Sequence, residues 1–152
     1  MKVEKIYVYG YGNPGRSDDG LGAAIIKKLE DEKILEVVTD CNYQLNIEDA
    51  DNISSSDVVI FVDASIEAKE PFEFRGIEPA ADITFTTHAM SPESVLALCQ
   101  DIYGKHPKAY VLAIRGYNWD FAEGLSSKAI KNLEEAYLFL MQKIRDMLSG
   151  KE

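Results

Sequence analysis

Four residues of this chain have the types and the placement to do chemistry. Asp18 and Asp19 follow the glycine-rich stretch Gly10-Tyr11-Gly12-Asn13-Pro14-Gly15. Asp63 closes the apolar run Val58-Val59-Ile60-Phe61-Val62, and His88 stands just before Ser91-Pro92-Glu93. Two carboxylates with one imidazole suit a borderline divalent ion such as zinc or nickel, with coordination positions left open for water or a substrate group. Each residue also has a plain structural explanation. Asp18 and Asp19 in a first helical turn complement the helix dipole by about 0.3–1 kcal/mol. Asp63 caps a turn after its strand, and His88 is a hydrogen-bonded surface histidine. What joins them is location, at predicted strand ends or in the loops beside them. The second histidine, His106, lies in the turn Gly104-Lys105-His106-Pro107 and is expected in solvent.

The same glycine-rich stretch contains G-x-G-x-x-G as Gly10, Gly12 and Gly15, and Asp40 stands where a ribose-binding carboxylate belongs in a dinucleotide site. A pyrophosphate, however, needs free N–H groups and the positive end of a helix. Asp18 and Asp19 put negative charge there, and Pro14 removes a donor. The local electrostatics favour a cation over an anion.

Several elements must hold these residues. A strand is expected over residues 3–9, then the glycine loop, then a helix capped by Ser17 with Leu21, Ala24, Ile25 and Leu29 at helical spacing. A second strand is expected over residues 34–39, a short helical piece over 47–50, and a central strand over 58–62, apolar throughout as if covered on both faces. A strand over residues 72–77 follows by a hairpin-like excursion. Ser91 then caps a helix with Pro92 in its first turn and Val95, Leu98, Cys99 and Ile102 on its buried face. A buried-type strand over 109–114 leads through the loop 115–125 to a last helix. Ser126 caps it, with Ile130, Leu133, Tyr137, Leu140, Ile144 and Leu148 as its stripe. Alternating strands and helices predict an α/β fold: a three-layer α/β/α sandwich around a mostly parallel sheet of about five strands, with room for a mixed one. In such sheets, ligands gather at the carboxyl ends of the strands.

The 152 residues suit one domain, over residues 1–152, with a real core. No apolar run approaches the ~20 residues that span a bilayer, and no signal peptide opens the chain, so a cytoplasmic location and no membrane partner are expected. Cys41 and Cys99 form no C-x-x-C and are expected reduced and partly buried. The net charge of −10 disfavours nucleic acid.

Taken in order, these landmarks resemble the nickel–iron hydrogenase maturation endopeptidases. Gly-x-Gly-Asn followed by Asp18-Asp19-Gly20-Leu21-Gly22 resembles the family's opening motif, and Phe61-Val62-Asp63-Ala64 its strand ending in a metal-binding aspartate. Thr87-His88 resembles its histidine segment. Arg115-Gly116-Tyr117, with Phe121-Ala122-Glu123-Gly124-Leu125-Ser126, resembles the stretch before its last helix. The landmarks span most of the chain. The resemblance implies that Asp19, Asp63 and His88 are both the metal ligands and the catalytic residues, with Asp18 a helix-start residue. Some members carry Glu where this chain has Asp19, one methylene shorter.

The resemblance further implies a hydrolase that removes a C-terminal extension from the precursor of the hydrogenase large subunit, acting as a monomer. The metal would be the nickel already loaded into that substrate; zinc or cadmium would also fit the site. Metal-assisted hydrolysis and a carboxylate general base both remain open. Neither H-E-x-x-H nor G-x-S-x-G is present. A rival resemblance, of Gly12-Asn13-Pro14-Gly15 to the start of bacterial peptidyl-tRNA hydrolases, lacks that family's nearby histidine. A non-catalytic metal- or dinucleotide-binding module is the third reading. The loops 41–46 and 115–125 are the natural walls of a substrate groove. In the second, Trp119 and Phe121 are either exposed anchors or packed under the last helix.

Overall fold

A computed structural model describes residues 2–81 and 90–151. The chain alternates as expected: β1 (Ile6–Tyr11), a 3-10 turn (Ser17–Gly20), α1 (Leu21–Asp31), β2 (Val37–Asn42), α2 (Glu48–Ile53) and β3 (Val58–Ser65). Then follow β4 (Phe72–Ile77), α3 (Pro92–Tyr103), β5 (Lys108–Arg115) and α4 (Ser127–Leu148). The five strands form one sheet in the order β2-β1-β3-β5-β4. All neighbours run parallel except β4, which pairs antiparallel with β5. The sheet is therefore mixed.

Strand alternation divides the core between the two faces. Ile6 and Val8 of β1, with Ile60 and Val62 of β3, pack under α1 and α4. Tyr7 and Tyr9, with Val59 and Phe61, pack under α2 and α3. The central strands are apolar on both sides because helices cover both, and each fully buried Ile, Val or Leu stabilises by roughly 1.5–3 kcal/mol. The strand order places a topological switch between β1 and β3: the chain leaves β1 for one side and returns past it to the other. A crevice opens at such a point beyond the carboxyl ends of the strands.

The caps at Ser91 and Ser126 are as expected; each side chain accepts a backbone N–H from three residues on. Several boundaries differ. β1 runs through Gly10 and Tyr11 because both pair with β2, and β2 begins three residues later than expected, in that register. β3 extends to Ser65, paired with β5 over its whole length. Ile102 and Ile130 are exposed; Leu96 and Ala97, and Ala129, take the inward positions. Ser17 caps nothing. It sits at φ 51, and its hydroxyl donates to the Asp120 carbonyl at 2.8 Å. Cys41 is exposed and Cys99 fully buried, rather than both half-buried. No helix among the described residues is long and apolar enough to cross a membrane.

Candidate active site

Asp63 reaches the site by strand alternation. It is the next residue in the series Val59, Phe61 on the α2/α3 face, and β1 stops pairing with β3 one residue earlier, at Gly10 with Val62. Its side chain therefore stands at the mouth of the crevice instead of in the core. Tyr11 follows Tyr7 and Tyr9 on the neighbouring strand, and burial together with the Asp63 charge pushes its hydroxyl pKa up.

Asp19 reaches the same place through the 3-10 turn. Two glycines let that turn and α1 settle onto the sheet. A Cβ at Gly12, which has φ +132, would lie 2.2 Å from the Asp19 carbonyl oxygen; one at Gly22 would lie 2.8–2.9 Å from the Tyr11 backbone and the Val62 carbonyl. Any side chain there would lift the turn away. Asp19 Oδ2 then accepts the Asn13 N–H at 2.8 Å.

Asp19 and Asp63 lie close enough for their charges to interact. Burial first, and the Asp19 charge second, push the Asp63 carboxyl up to about 7, against the lowering effect of the Ala64 N–H and the Tyr11 hydroxyl. Burial and like charge both disfavour two ionised carboxyls side by side, and a divalent cation relieves both. Two carboxylate donors suit a divalent cation. Among the described residues no group of three or more His, Cys, Asp and Glu side chains gathers to hold a metal. Two of the three expected ligands are brought together; the third, His88, lies outside the described residues. His106 is half-exposed beside Glu78, with Nε2 3.4 Å from Oε2.

Asp18 does something its position in the sequence did not reveal. It is fully buried. Its carboxylate accepts the N–H groups of Tyr117, Asn118 and Ser126 at 2.8, 2.9 and 2.7 Å, and the Ser126 hydroxyl at 2.8 Å. Burial alone would raise its pKa; the donors from Ser126, Asn118 and Tyr117 outweigh that and hold it below its ordinary value. Ser126 is itself the cap of α4, so one carboxylate ties the first turn to the last helix. Asp18 is thus a brace for the loop 115–125, not a dipole ornament and not a ligand.

That loop, and the loop 41–46, do flank the glycine-rich stretch. Gly12 donates to the Asn42 carbonyl at 3.1 Å and Ser17 to the Ala122 carbonyl at 2.7 Å. The two proposed anchors separate. Phe121 is 85% exposed, with the Arg16 guanidinium 5.3 Å over its ring, whereas Trp119 is half-buried against the α1/α4 core. The dinucleotide reading loses its two supports. Asp40 is engaged by the Tyr7 hydroxyl at 3.0 Å, and the Asn13 N–H that would serve a phosphate is taken by Asp19.

Compared with known proteins, the chain matches no family model and no curated sequence. Solved structures do match. It superposes on the hydrogenase maturating endopeptidase HybD from Escherichia coli with a TM-score of 0.75, at 20% identity over 93% of each chain. The [NiFe] hydrogenase maturation protease HycI from Thermococcus kodakarensis gives 0.70 at 21% identity, over 97% of this chain and 94% of that one. The hydrogenase 2 maturation peptidase from the Thaumarchaeota archaeon SCGC_AB-539-E09 gives 0.68 at 16%, over 92% and 97%. This chain has the fold of the hydrogenase maturation endopeptidases. Agreement extends over about nine-tenths of each chain.

Proposed function

We propose that this protein is an endopeptidase that removes the C-terminal extension from the nickel-loaded large-subunit precursor of a nickel–iron hydrogenase, acting in the cytoplasm. One observation carries the reading: Asp19 and Asp63 converge at the switch point of this fold, where buried like charge calls for a cation. The names of the matched structures supply the substrate class.

In this reading Asp19, Asp63 and His88 are the ligands that engage the substrate's own nickel. The metal supplies Lewis acidity toward the scissile carbonyl or toward a water. The protein's part is positional. Asp19 is held by the Asn13 N–H and by the turn beneath it; Asp63 is placed by the end of β3. A nickel held between them would bring the adjoining peptide into the crevice at one fixed register. Tyr43, 68% exposed on one flanking loop, and Phe121 on the other are the surfaces such a partner meets first.

The test is processing of the nickel-loaded precursor by the purified protein, followed as a size shift. Asp19→Asn, Asp63→Asn and His88→Ala should each leave the precursor uncut at protein concentrations where the wild type finishes. Complete processing by all three variants would overturn the assignment.

A further inference from the structure

We propose that the cleft between the start of α1 and the loop 115–125 is a docking subsite for the protein substrate, holding one apolar side chain from an acidic stretch of it; the inference rests on the proteolytic reading given above. The cleft has a volume of about 270 Å3 and is walled by Pro14, Ala23, Ala24 and Leu125, with Lys27 as its charged member. Small-molecule pockets run to roughly 300–1,000 Å3. This one is too small for a dinucleotide and admits a single side chain of leucine or phenylalanine size.

The lining asks for carbon. Ser17 also faces the cleft, but its hydroxyl donates to the Asp120 and Ala122 carbonyls at 2.8 and 3.3 Å and accepts from the Asn118 amide at 3.3 Å. It has no proton left for a ligand. The same bonds, with the Asp18 carboxylate that holds Tyr117, Asn118 and Ser126, fix one wall against the other. A docked side chain finds the cleft already formed, so little ordering entropy opposes binding.

The flanks are basic in a chain of net charge −10. Arg16, next to Ser17, donates from Nε to the Trp119 carbonyl at 3.0 Å, and its guanidinium lies 5.3 Å over the exposed Phe121 ring. Neither Arg16 nor Lys27 pairs with a carboxylate among the described residues, Asp120 and Glu123 of the loop included. A guanidinium anchored through one nitrogen keeps its terminal N–H groups for a carboxylate. Two uncompensated cations beside an apolar cleft, on an otherwise acidic surface, select an acidic partner. The cleft also adjoins the candidate site. Gly20, another lining residue, directly follows Asp19, so an occupant lies within a few residues of extended chain of whatever Asp19 holds.

Steady-state kinetics on the nickel-loaded precursor, read with thermal unfolding and the sedimentation of the protein alone, test this. Ala23→Leu, at a half-buried position on α1, fills the cleft. It should raise KM about ten-fold or more with kcat within about two-fold and the melting temperature within a few degrees of wild type. Lys27→Glu should raise KM about three-fold or more at low salt, an effect that shrinks at about 0.5 M salt. Lys105→Glu, the same charge change in the turn after α3, should match the wild type. Wild-type KM in Ala23→Leu overturns the subsite and leaves the proteolytic reading standing. An equal loss in Lys105→Glu overturns the acidic part of the proposal. Self-association of the wild type that Ala23→Leu abolishes gives the cleft to a second copy of this chain and overturns the substrate assignment. Failure of the wild type to cut the precursor overturns the proteolytic reading, and this inference with it.

Discussion

Asp18→Ala should lower the melting temperature by roughly 8–15 °C, the largest stability loss expected of any single substitution near the crevice. The carboxylate accepts four hydrogen bonds and is fully buried. Removing it strands three backbone N–H groups, those of Tyr117, Asn118 and Ser126, and also removes the acceptor of the Ser126 hydroxyl. Each unsatisfied buried donor costs about 1–3 kcal/mol, and because the four share one acceptor their loss is less than additive, about 3–5 kcal/mol in total. A domain of this size moves by about 2–4 °C per kcal/mol. The loop 115–125 should also become the first site of cleavage under limited proteolysis. The brace is an ionised group with a lowered pKa, so its stabilisation is fully present above the unfolded value near pH 4 and is lost as pH falls through the lower folded value. An Asp18→Ala protein with wild-type melting and an intact loop would show that the loop is held by other means.

Asp63→Asn should behave in the opposite way and become more stable as it loses function. In the folded chain the Asp63 carboxyl is raised to about 7 from an ordinary value of 3.8. The folded state therefore holds that proton more tightly than the unfolded state does. The associated stability is present below about pH 4 and is lost as pH rises through about 7. About three pKa units correspond to at most roughly 4 kcal/mol, lost by pH 8. Asparagine keeps the shape and never ionises, so it escapes this loss. The variant should match the wild type near pH 4 and exceed it at pH 8 by on the order of 10 °C. Parallel melting curves across that pH range would remove the electrostatic strain from the site. A functional group that destabilises its own fold is a recurrent cost of holding like charges ready for a ligand.

Local chemistry made much of the fold legible in advance. The caps at Ser91 and Ser126, the strand at residues 72–77 and the apolar central strand all follow from patterns a few residues long, whereas the edge position of β4 comes from its pairing with β5. The acidic neighbours of the glycine loop weigh against a phosphate there, and the nearness of Asp19 to Asp63 agrees with their placement at strand ends. What stayed hidden was set by distant partners. Ser17 looks like a cap but bonds to Asp120 and Ala122. Asp18 looks like a helix-start residue, yet its partners lie on the far side of the chain's sequence. Trp119 and Phe121 carry the same local signal, and only the packing of Trp119 beside Gly116 and Asp18 separates them. No periodicity reports a contact between residues a hundred positions apart.

That separation has a kinetic meaning. Asp18 meets Tyr117 across 99 residues and Ser126 across 108. Closing so long a loop is entropically late, and contacts of this span form slowly. The turn that presents Asp19 is thus finished only when β5 and the start of α4 have arrived. During synthesis, most of the sheet's strands leave the ribosome before the brace can exist. The crevice is completed only after the start of α4 has been made, so a nascent protein has strands before it has a site.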